Sequence, residues 1–559
     1  MKTNIIYNKV QRLVRSVLPF YLFILLPLFM ACGNQIPQKF SESDELPNIY
    51  PDYTNVTVPV NIVPLTFEID EKTEGVVARM TAGDEEVVCG GSKVQPTISE
   101  WQQLVQAALN QQPSAIQVEV YVEKNDHWTR FQPFSIFVSP DSIDPYISYR
   151  LISPSYVTYE ELTINQRCLE NYDESVIYDN MLSSEETKGQ CINCHNYQQY
   201  NPDRMQFHAR QNLGGTVIAC DGAIRKIGMA NDSLLSAGVY PTWHPWLKLI
   251  VYSTNLTAQS FHATHPNKIE VFDTKSDLIA YDIEKNEVTN IESDPNELEC
   301  FPFWAPDGKT LYFCSAHFEY KDTIDPGQEF MMRTEEVKYN LYKKAFDPET
   351  LQFGPRELVF AATDSLSESV TSDSLFLSAT TASQSATSVS QFQSAASVST
   401  TIPAGSPTGK SATFPRISPD GRYLMFTLAQ YGIFHIWHHD ADLWLLDLKT
   451  GEARCMDEIN SPDTESYHSW SSNGRWVIFS SRRYDGNYTR PYIAHIDSNG
   501  RGSKPFELPC ADPDYHRQFM KCYNIPEFMR GPVTIRPQQF TDAIKQDAEP
   551  VKYVNRLSK

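Results

Sequence analysis

The sequence predicts an all-β protein, because a unit of two strands joined by a tight turn recurs along its second half. The unit appears four times, at residues 241–253, 302–315, 415–427 and 468–481. Three of its turns contain the Asp-Gly or Asn-Gly pair that supplies the positive φ of a tight hairpin, at Asp307-Gly308, Asp420-Gly421 and Asn473-Gly474. A further pair of strands follows each unit. Four-stranded units recurring at intervals of about 50–60 residues predict a β-propeller.

The repeated unit resembles the propeller repeats of the TolB family of periplasmic proteins, over roughly residues 205–510. This resemblance implies about six blades, and we assign the propeller to residues 214–540. Residues 214–227 are expected to belong to a fifth repeat, residues 511–540 to help close the ring, and residues 541–559 to form a tail. A repeat of this kind predicts the fold, whereas the function has to be argued from the site.

The first 31 residues have the features of an export signal. A positively charged segment precedes an apolar run at residues 17–30, and a small residue stands directly before Cys32. This arrangement resembles a bacterial lipoprotein signal, which implies removal of residues 1–31 and lipidation of Cys32. A membrane-spanning anchor is the alternative. However, Pro19 and Pro27 interrupt the run, which is shorter than the roughly 20 residues that a spanning helix needs.

The chain is strongly acidic. It has 47 Lys and Arg residues against 69 Asp and Glu residues, a net charge of −22, and loss of the four basic residues in the signal makes the charge −26. Such a charge argues against nucleic acids and anionic membrane surfaces as partners. Together with the signal, it predicts a bacterial cell-envelope protein that is lipid-anchored to a membrane and faces the periplasm or the cell surface, with residues 32–45 as a tether.

Residues 46–165 are predicted to form an N-terminal β-rich domain that resembles a sandwich. Alternation of apolar and polar residues indicates half-buried strands, at residues 56–60, 116–122 and 134–138. Between them, Thr97, an early Glu100 and a helical spacing of apolar residues predict a short helix through Leu109. No catalytic constellation stands out in this domain.

Residues 166–213 form a separate segment that contains the sequence Cys191-Ile192-Asn193-Cys194-His195. Two cysteines and a histidine in the spacing C-x-x-C-H are the attachment site of a c-type haem. We therefore expect one covalent haem c bound by Cys191 and Cys194, with His195 as the proximal iron ligand and a helical turn carrying the motif. A redox dithiol and half of a zinc site remain alternatives, although the chain has no second C-x-x-C.

Three residues are candidates for the sixth iron ligand: His208, Met205 and His262. Another residue or an open sixth position is the alternative. Met205 and His208 lie on one predicted strand at an odd spacing, so their side chains point to opposite faces and at most one reaches the iron. Arg204 or Arg210 is expected to pair with a haem propionate.

Two further features of the sequence are a low-complexity insert and the cysteines outside the predicted haem and lipid sites. Residues 362–410 are rich in Ser, Thr and Ala, and they predict a disordered loop between two blades because this composition cannot bury a core. The cysteines outside the haem and lipid sites are spread too thinly for a disulfide scaffold. Among them, Cys510 and Cys522 are the pair to test first for a disulfide.

The sequence therefore predicts an exported, lipid-anchored c-type haem protein that transfers electrons or senses redox state on a TolB-like propeller. The expected partner is a redox protein or a membrane-associated protein complex. The alternative is a non-enzymatic propeller scaffold that binds a periplasmic or cell-surface protein or glycan. Enzymatic activity stays open but ranks lowest, because the sequence shows neither paired catalytic carboxylates nor a nucleophile–base set.

Overall fold

A computed structural model describes residues 35–154, 161–184, 190–321, 325–362 and 409–555. The predicted signal at residues 1–31, the lipidation site Cys32 and most of the insert lie outside these residues. The chain divides into two compact units, one from Met1–Thr54, Pro64–Ile136 and Ala511–Pro513, the other from Asn55–Val63, Phe137–Cys510 and Asp514–Lys559. Within the described residues, no helix has both the length and the apolar character needed to cross a membrane.

The first unit is built on one mixed sheet with the strand order β1-β8-β7-β5-β6, and β2 pairs separately with β4. Strand β3 and the end of β9 belong to the second unit, where they pair in parallel. The first nine strands are β1 (Ser41–Glu42), β2 (Ile49–Tyr50), β3 (Thr57–Pro59), β4 (Glu68–Ile69), β5 (Gly75–Ala82), β6 (Glu85–Gly91), β7 (Ala115–Lys124), β8 (His127–Arg130) and β9 (Phe134–Ser139).

One helix, α1 (Ile98–Leu109), packs against the central strands of this sheet. The Thr97 hydroxyl accepts a hydrogen bond from the backbone N–H of Glu100, and the Glu100 carboxylate accepts one from the backbone N–H of Thr97, which closes a capping box. The helix buries Trp101 and Leu104 against the sheet. The predicted helix is therefore confirmed, including its first turn.

The second unit is a six-bladed β-propeller, and the number of blades agrees with the prediction. Each of the first five blades has four consecutive strands, the first of which lies innermost. The strands are β10 (Tyr146–Ile152), β11 (Thr163–Cys168), β12 (Glu174–Asp179), β13 (Gln190–Gln198), β14 (Asn201–Gln211), β15 (Gly215–Cys220), β16 (Ala223–Gly228), β17 (Gly238–Trp243), β18 (Leu249–Phe261), β19 (Ile269–Asp282), β20 (Glu287–Glu292), β21 (Glu297–Trp304), β22 (Thr310–His317), β23 (Asn340–Asp347), β24 (Gln352–Phe360), β25 (Ser411–Ile417), β26 (Tyr423–Ala429), β27 (Asp442–Asp447), β28 (Ala453–Cys455), β29 (Glu465–Trp470), β30 (Trp476–Ser481), β31 (Arg490–His495), β32 (Phe506–Glu507) and β33 (Cys522–Met529).

The sixth blade joins the two ends of the propeller sequence. Strand β33 pairs antiparallel with β10, and the blade has the order β12-β11-β10-β33. Strand β33 is the innermost strand of this blade and lies between β29 and β13, which closes the ring as predicted for residues 511–540. Strands β10–β12 thus belong to the propeller, whereas the sequence assigned residues 46–165 to the N-terminal domain and 166–213 to a separate segment. The difference arises because their partner β33 is remote in the chain.

The C-terminal residues extend two blades. Strands β34 (Glu549–Pro550) and β35 (Lys552–Tyr553) pair in parallel with β16 and β20, so the predicted tail adds a fifth strand to the first and second blades. Three short helices complete the described chain: α2 (Pro326–Met332), α3 (Tyr515–Gln518) and α4 (Pro537–Ile544).

The described residues on either side of the Ser- and Thr-rich insert, at the end of the third blade and the start of the fourth, lie next to each other. The backbone N–H of Lys410 donates a 2.8 Å hydrogen bond to the carbonyl oxygen of Ala362. The described ends of the insert therefore meet beside β24 and β25. Residues 363–408 lie outside the described residues.

The hydrophobic core of the propeller lies in layers between neighbouring blades. The layer between the first and second blades contains Ile218, Ile227, Trp243, Tyr252 and Tyr281. Full burial of one large apolar side chain contributes roughly 1.5–3 kcal/mol. Because the layers lie between the blades, the innermost strands are left to line a central channel.

Gly238, on the innermost strand of the second blade, makes a close approach to this layer. A Cβ added there would lie 2.7 Å from Cγ and 2.8 Å from Cβ of the fully buried Tyr252. We expect G238A to lower the free energy of unfolding by about 1–3 kcal/mol, because the Tyr252 ring cannot move aside. The matched control is G354A on β24, where the nearest atom is 3.5 Å away. Urea unfolding checks both variants, and equal midpoints would contradict the steric argument.

Candidate functional site

The C-x-x-C-H motif lies on β13, the innermost strand of the first blade. The sequence predicted a helical turn for these residues, and the structure instead shows a strand that pairs antiparallel with β14. The difference has a tertiary cause, since β13 occupies a place in the ring between β17 and β33. Cys191, Cys194 and His195 are all buried, with exposed fractions of 8%, 8% and 3%.

Every innermost strand has a β-bulge at the same place. In each blade two residues of the inner strand oppose one residue of the next strand, and the first of the two has a positive φ. These six positive-φ residues are Cys194, Tyr240, Phe301, Phe414, Tyr467 and Ile525. A bulge of this kind redirects side chains that would otherwise alternate between faces. Cys194 is therefore the first blade's member of a six-fold set.

The residue directly after the positive-φ residue is also of only two types in the six blades. It is proline in four blades, histidine in the first (His195) and histidine in the fifth (His468). His468 is fully buried, and its Nε2 lies 3.0 Å from the carbonyl oxygen of Met425. This position therefore accommodates a purely structural histidine.

The bulge places both cysteines of the motif on one cavity. In a regular strand, residues three apart point to opposite faces, but the extra residue lets Cys191 and Cys194 line the same space. The cavity has a volume of about 430 Å³, within the usual range for cofactor and ligand sites. Its aromatic lining comes from four residues of three other blade segments: Tyr240, Phe434, Trp437 and Tyr467.

Two arginines give this cavity a positive charge. Arg150 on β10 and Arg210 on β14 both line it, and Arg210 is the register partner of Cys191. Burial raises the pKa of the Cys191 thiol, and the two guanidinium groups limit that rise. Arg204, the other arginine that the sequence proposed for a propionate, instead forms a 2.6 Å ion pair with Asp221. Arg210 is thus the predicted arginine that shares a cavity with the cysteines.

His195 lies outside the lining of this cavity. The backbone of Ser148 and Ile525 lies beside its ring, and the Tyr197 ring is 6.2 Å away. Its Nε2 has no hydrogen-bond partner among the described residues. Burial, followed by the charge of Arg150, lowers the pKa of His195 to about 3. The imidazole is therefore neutral at pH 7, which is the form that binds metal ions.

His208 lines a second, adjoining cavity of about 800 Å³, which shares Arg210 and Gln211 with the first. Its Nδ1 lies 2.9 Å from the Thr216 hydroxyl, and its Nε2 has no hydrogen-bond partner among the described residues. Burial, followed by the charge of Arg210, lowers the pKa of His208 to about 3. Of the predicted sixth ligands, His208 thus combines a neutral ring with a position next to the cysteines.

The other two candidate ligands lie elsewhere. Met205 lines neither cavity; it is completely buried in the core layer between the sixth and first blades, with Tyr178 and Phe207. His262 lies in the turn between β18 and β19, where its ring is 5.4 Å from that of His265. Met205 and His208 are an odd number of residues apart on β14, and their different surroundings follow from that spacing.

Strands β18 and β19 extend beyond their blade as an arm (residues 255–274) that covers part of the cysteine cavity. Thr257 and Val271 of the arm line the cavity. Buried Glu270 fixes the arm, because its carboxylate accepts a 3.0 Å hydrogen bond from the Tyr431 hydroxyl and lies 3.1 Å from Nε2 of His438. No group of three or more His, Cys, Asp or Glu side chains in the described part of the chain is arranged to hold a metal ion.

The comparisons with known proteins concern the fold. No protein-family model matches this chain, and no curated protein matches it. TolB from Acinetobacter baumannii is 12% identical, with a TM-score of 0.39 over 78% of this chain and 85% of that protein. This chain is similar in fold to TolB. The apocarotenoid oxygenase of Synechocystis is 10% identical (TM-score 0.35, 84% and 94% coverage), and the propeller domain of the Trilobed protease from Pyrococcus furiosus is 11% identical (TM-score 0.29, 71% and 91% coverage).

Sequence reasoning missed Arg150 and the aromatic residues of the cavity. Arg150 lies on β10, far from the motif in the chain, and nothing local marks it. The aromatic residues had a usable signal, because Tyr240 and Tyr467 occupy the repeat position of Cys194. An alignment of the repeats at this position would have placed Cys194, Tyr240 and Tyr467 around one channel.

Proposed function

We propose that this protein is an exported c-type haem protein, which binds one haem covalently through Cys191 and Cys194 for electron transfer or redox sensing. One observation carries the proposal: the bulge at Cys194 gives both thiols access to a single cavity, although their spacing on a regular strand would separate them. The bulge itself recurs in every blade, so the first blade is distinguished by the two cysteines that its bulge brings to the cavity.

The cavity lining fits the group in charge and polarity. Arg150 and Arg210 offer guanidinium groups that suit the two carboxylates of a porphyrin. The rings of Tyr240, Phe434 and Trp437 present apolar surface to the space beside the thiols. A bound haem supplies one-electron chemistry, and its potential depends on the polarity of such a lining and on the iron ligands.

The iron ligands are the part of the site that needs a change of side-chain position. We propose His195 as the proximal ligand, since it follows Cys194 directly and its ring is neutral, with Nε2 unpartnered among the described residues. To reach the cavity, its ring has to turn away from the backbone of Ser148 and Ile525. His208 is the proposed sixth ligand, because its own Nε2 is also unpartnered within the described residues.

The proposed location is the cell envelope, with a lipid anchor on Cys32. The support is the sequence of residues 1–32, which combines a positive segment, an apolar run and a cysteine after a small residue. The acidic surface of the chain suits a basic redox protein or a membrane-associated protein complex as the partner. Export is also consistent with thioether attachment of haem, because c-type haem is attached outside the cytoplasm.

A second candidate function is a propeller scaffold that binds a protein or glycan without haem. The observation in its favour is the fifth blade, where Tyr467 and His468 stand in the places of Cys194 and His195. His468 is plainly structural, so the first blade's histidine also fits a role in packing. In that case the arginines and aromatic rings of the cavity bind an acidic or aromatic group of the partner.

The visible spectrum of the full chain, produced in a bacterial host with c-type maturation machinery, separates the two functions. We expect a Soret band that stays with the protein after acid–acetone extraction, because thioether bonds survive that treatment. Mass spectrometry should show one added porphyrin on the peptide with Cys191 and Cys194. Colourless protein with both thiols free would overturn the haem proposal and leave the scaffold.

A further inference from the structure

A second group of reactive side chains lies apart from the cysteine cavity, at the end of β32 and in the connection from β32 to β33. Sγ of Cys510 lies 3.6 Å from Nε2 of His516, and Nδ1 of His516 lies 2.5 Å from Oε1 of Glu507. All three side chains are buried, with exposed fractions of 7%, 3% and 3%. A thiol, an imidazole and a carboxylate in this order are the arrangement that activates a cysteine.

The groups around Cys510, His516 and Glu507 favour transfer of the thiol proton to His516. Arg167 donates a 3.4 Å hydrogen bond from Nη1 to Sγ of Cys510, and a guanidinium group can only donate. At the other end, Glu507 accepts from Nδ1 of His516 and stabilises the imidazolium. The carbonyl oxygen of Leu508, 3.7 Å from Sγ, is the other acceptor for a thiol proton, but it is not a base that can take the proton away. The sulfur thus has two cationic neighbours.

The electrostatics agree with this geometry. Burial alone would raise the pKa of Cys510, but the charges of His516 and Arg167 outweigh it and lower that pKa. The pKa of His516 is raised, because Cys510 and Glu507 outweigh its burial. Cys300, Cys314 and Cys522 are also buried, and burial raises the pKa of each. Among these cysteines, the low pKa belongs to Cys510.

We propose that Cys510 is a peroxide-reactive thiolate, activated by His516 and Arg167. The thiolate sulfur attacks one oxygen of hydrogen peroxide, so a sulfur–oxygen bond forms and the oxygen–oxygen bond breaks. The leaving hydroxide takes the proton of the His516 imidazolium and departs as water. The sulfur loses two electrons, which the peroxide gains, and Cys510 becomes a sulfenic acid beside a neutral His516. This site is independent of the proposed haem site.

The pH dependence of alkylation tests the thiolate in the unmodified full chain. Peptide mapping after brief exposure to iodoacetamide should show that the rate at Cys510 changes by less than about threefold between pH 6 and pH 8.5. An ordinary thiol with a pKa of about 8.5 gains more than about a hundredfold over this range. With hydrogen peroxide and dimedone, the sulfenic acid adduct should form on the Cys510 peptide. A rate that rises with pH like an ordinary thiol, or labelling only after denaturation, would overturn the proposal.

A substitution of His516 tests the activating partner. We expect H516Q to slow alkylation of Cys510 at pH 6 at least about tenfold, because the amide can still bond to Glu507 but cannot carry the positive charge. C522S serves as the control. Cys522 is also buried and close to Cys510 in the sequence, but its Sγ accepts a hydrogen bond from the backbone N–H of Thr489. If H516Q folds normally by circular dichroism and Cys510 reacts as fast as before, His516 does not activate it. If H516Q does not fold, the pH profile of the unmodified chain decides.

Discussion

The full chain with both Cys191 and Cys194 replaced by serine will carry no covalently attached porphyrin. Serine preserves the size and the hydrogen-bonding capacity of each side chain but cannot form a thioether, so the expected loss of the Soret band after acid–acetone extraction is complete. The measurement is the ratio of Soret absorbance to protein absorbance, together with the mass of the peptide that spans the motif. Either single variant should retain at most one thioether bond.

The matched control for this variant is C220S together with C455S. Both cysteines are only half-buried, and neither lines the cavity of the motif. We expect the control protein to keep the full absorbance ratio of the unmodified chain. Loss of the band in the control as well would show that general damage to the fold, rather than the missing thioethers, removes the pigment. An absorbance ratio unchanged in the double Cys191 and Cys194 variant would contradict covalent attachment.

E299Q will make the propeller more stable at alkaline pH. Glu299 lies on β21, its side chain is fully buried, and neither carboxylate oxygen has a hydrogen-bond partner among the described residues. Burial, then the charges of Glu292, Asp277 and Glu297, raises its pKa to about 9, while Arg356 opposes the shift. Glu299 is therefore protonated in the folded protein at pH 7.

The direction of the pH effect follows from the protons bound in each state. Between the ordinary pKa of about 4.5 and the folded value, the folded chain holds a proton that the unfolded chain has released. The free energy of unfolding therefore falls as the pH rises, by at most about 1.4 kcal/mol per pH unit. Glutamine carries no charge at any pH, so this loss disappears in E299Q. We expect a gain of more than about 1 kcal/mol at pH 8.5 and little change at pH 5, measured by urea unfolding.

Glu465, at the same repeat position of the fifth blade, provides a control whose carboxylate has partners. It is also fully buried, but its carboxylate lies 3.0 Å from the Arg483 guanidinium and accepts hydrogen bonds from Ser461 and Ser481. Burial raises the pKa of Glu465 too, but the charge of Arg483 and the hydrogen bonds from Ser461 and Ser481 oppose that rise. E465Q removes the charge that Arg483 faces, so it should lower the free energy of unfolding at pH 8.5. If E299Q and E465Q change stability in the same direction at pH 8.5, hydrogen-bond partners do not determine the sign of the effect.

The disulfide that the sequence suggested first illustrates the limits of spacing as evidence. Neither Cys510 nor Cys522 forms a disulfide, and the same holds for the other eight cysteines within the described residues. Cys510 instead faces His516 and Arg167, whereas the backbone N–H of Thr489 donates to Sγ of Cys522. Which groups surround a thiol depends on strands that are distant in the chain, so cysteine positions alone could not separate a disulfide from an activated thiolate.

Local patterns in the sequence predicted the features that depend on residues close together in the chain. The Asp-Gly and Asn-Gly turns, the strand alternation and the capping box at Thr97 and Glu100 are local, and together they predicted a propeller and the helix α1. The number of about six blades came from the resemblance to the TolB family. The C-x-x-C-H spacing is local too, and it identified which residues to examine. These signals are readable because each involves residues only a few positions apart.

The closure of the ring and the surroundings of the motif depend instead on contacts between strands that are distant in the chain. The partner of β10 is β33, and no local pattern specifies a pairing between strands so far apart in the chain. The bulge at Cys194, which recurs in every blade, brings Cys191 and Cys194 to one cavity and leaves His195 outside its lining. The physical reason is that side-chain directions on an inner strand are fixed by packing against neighbouring blades, which the order of residues does not reveal.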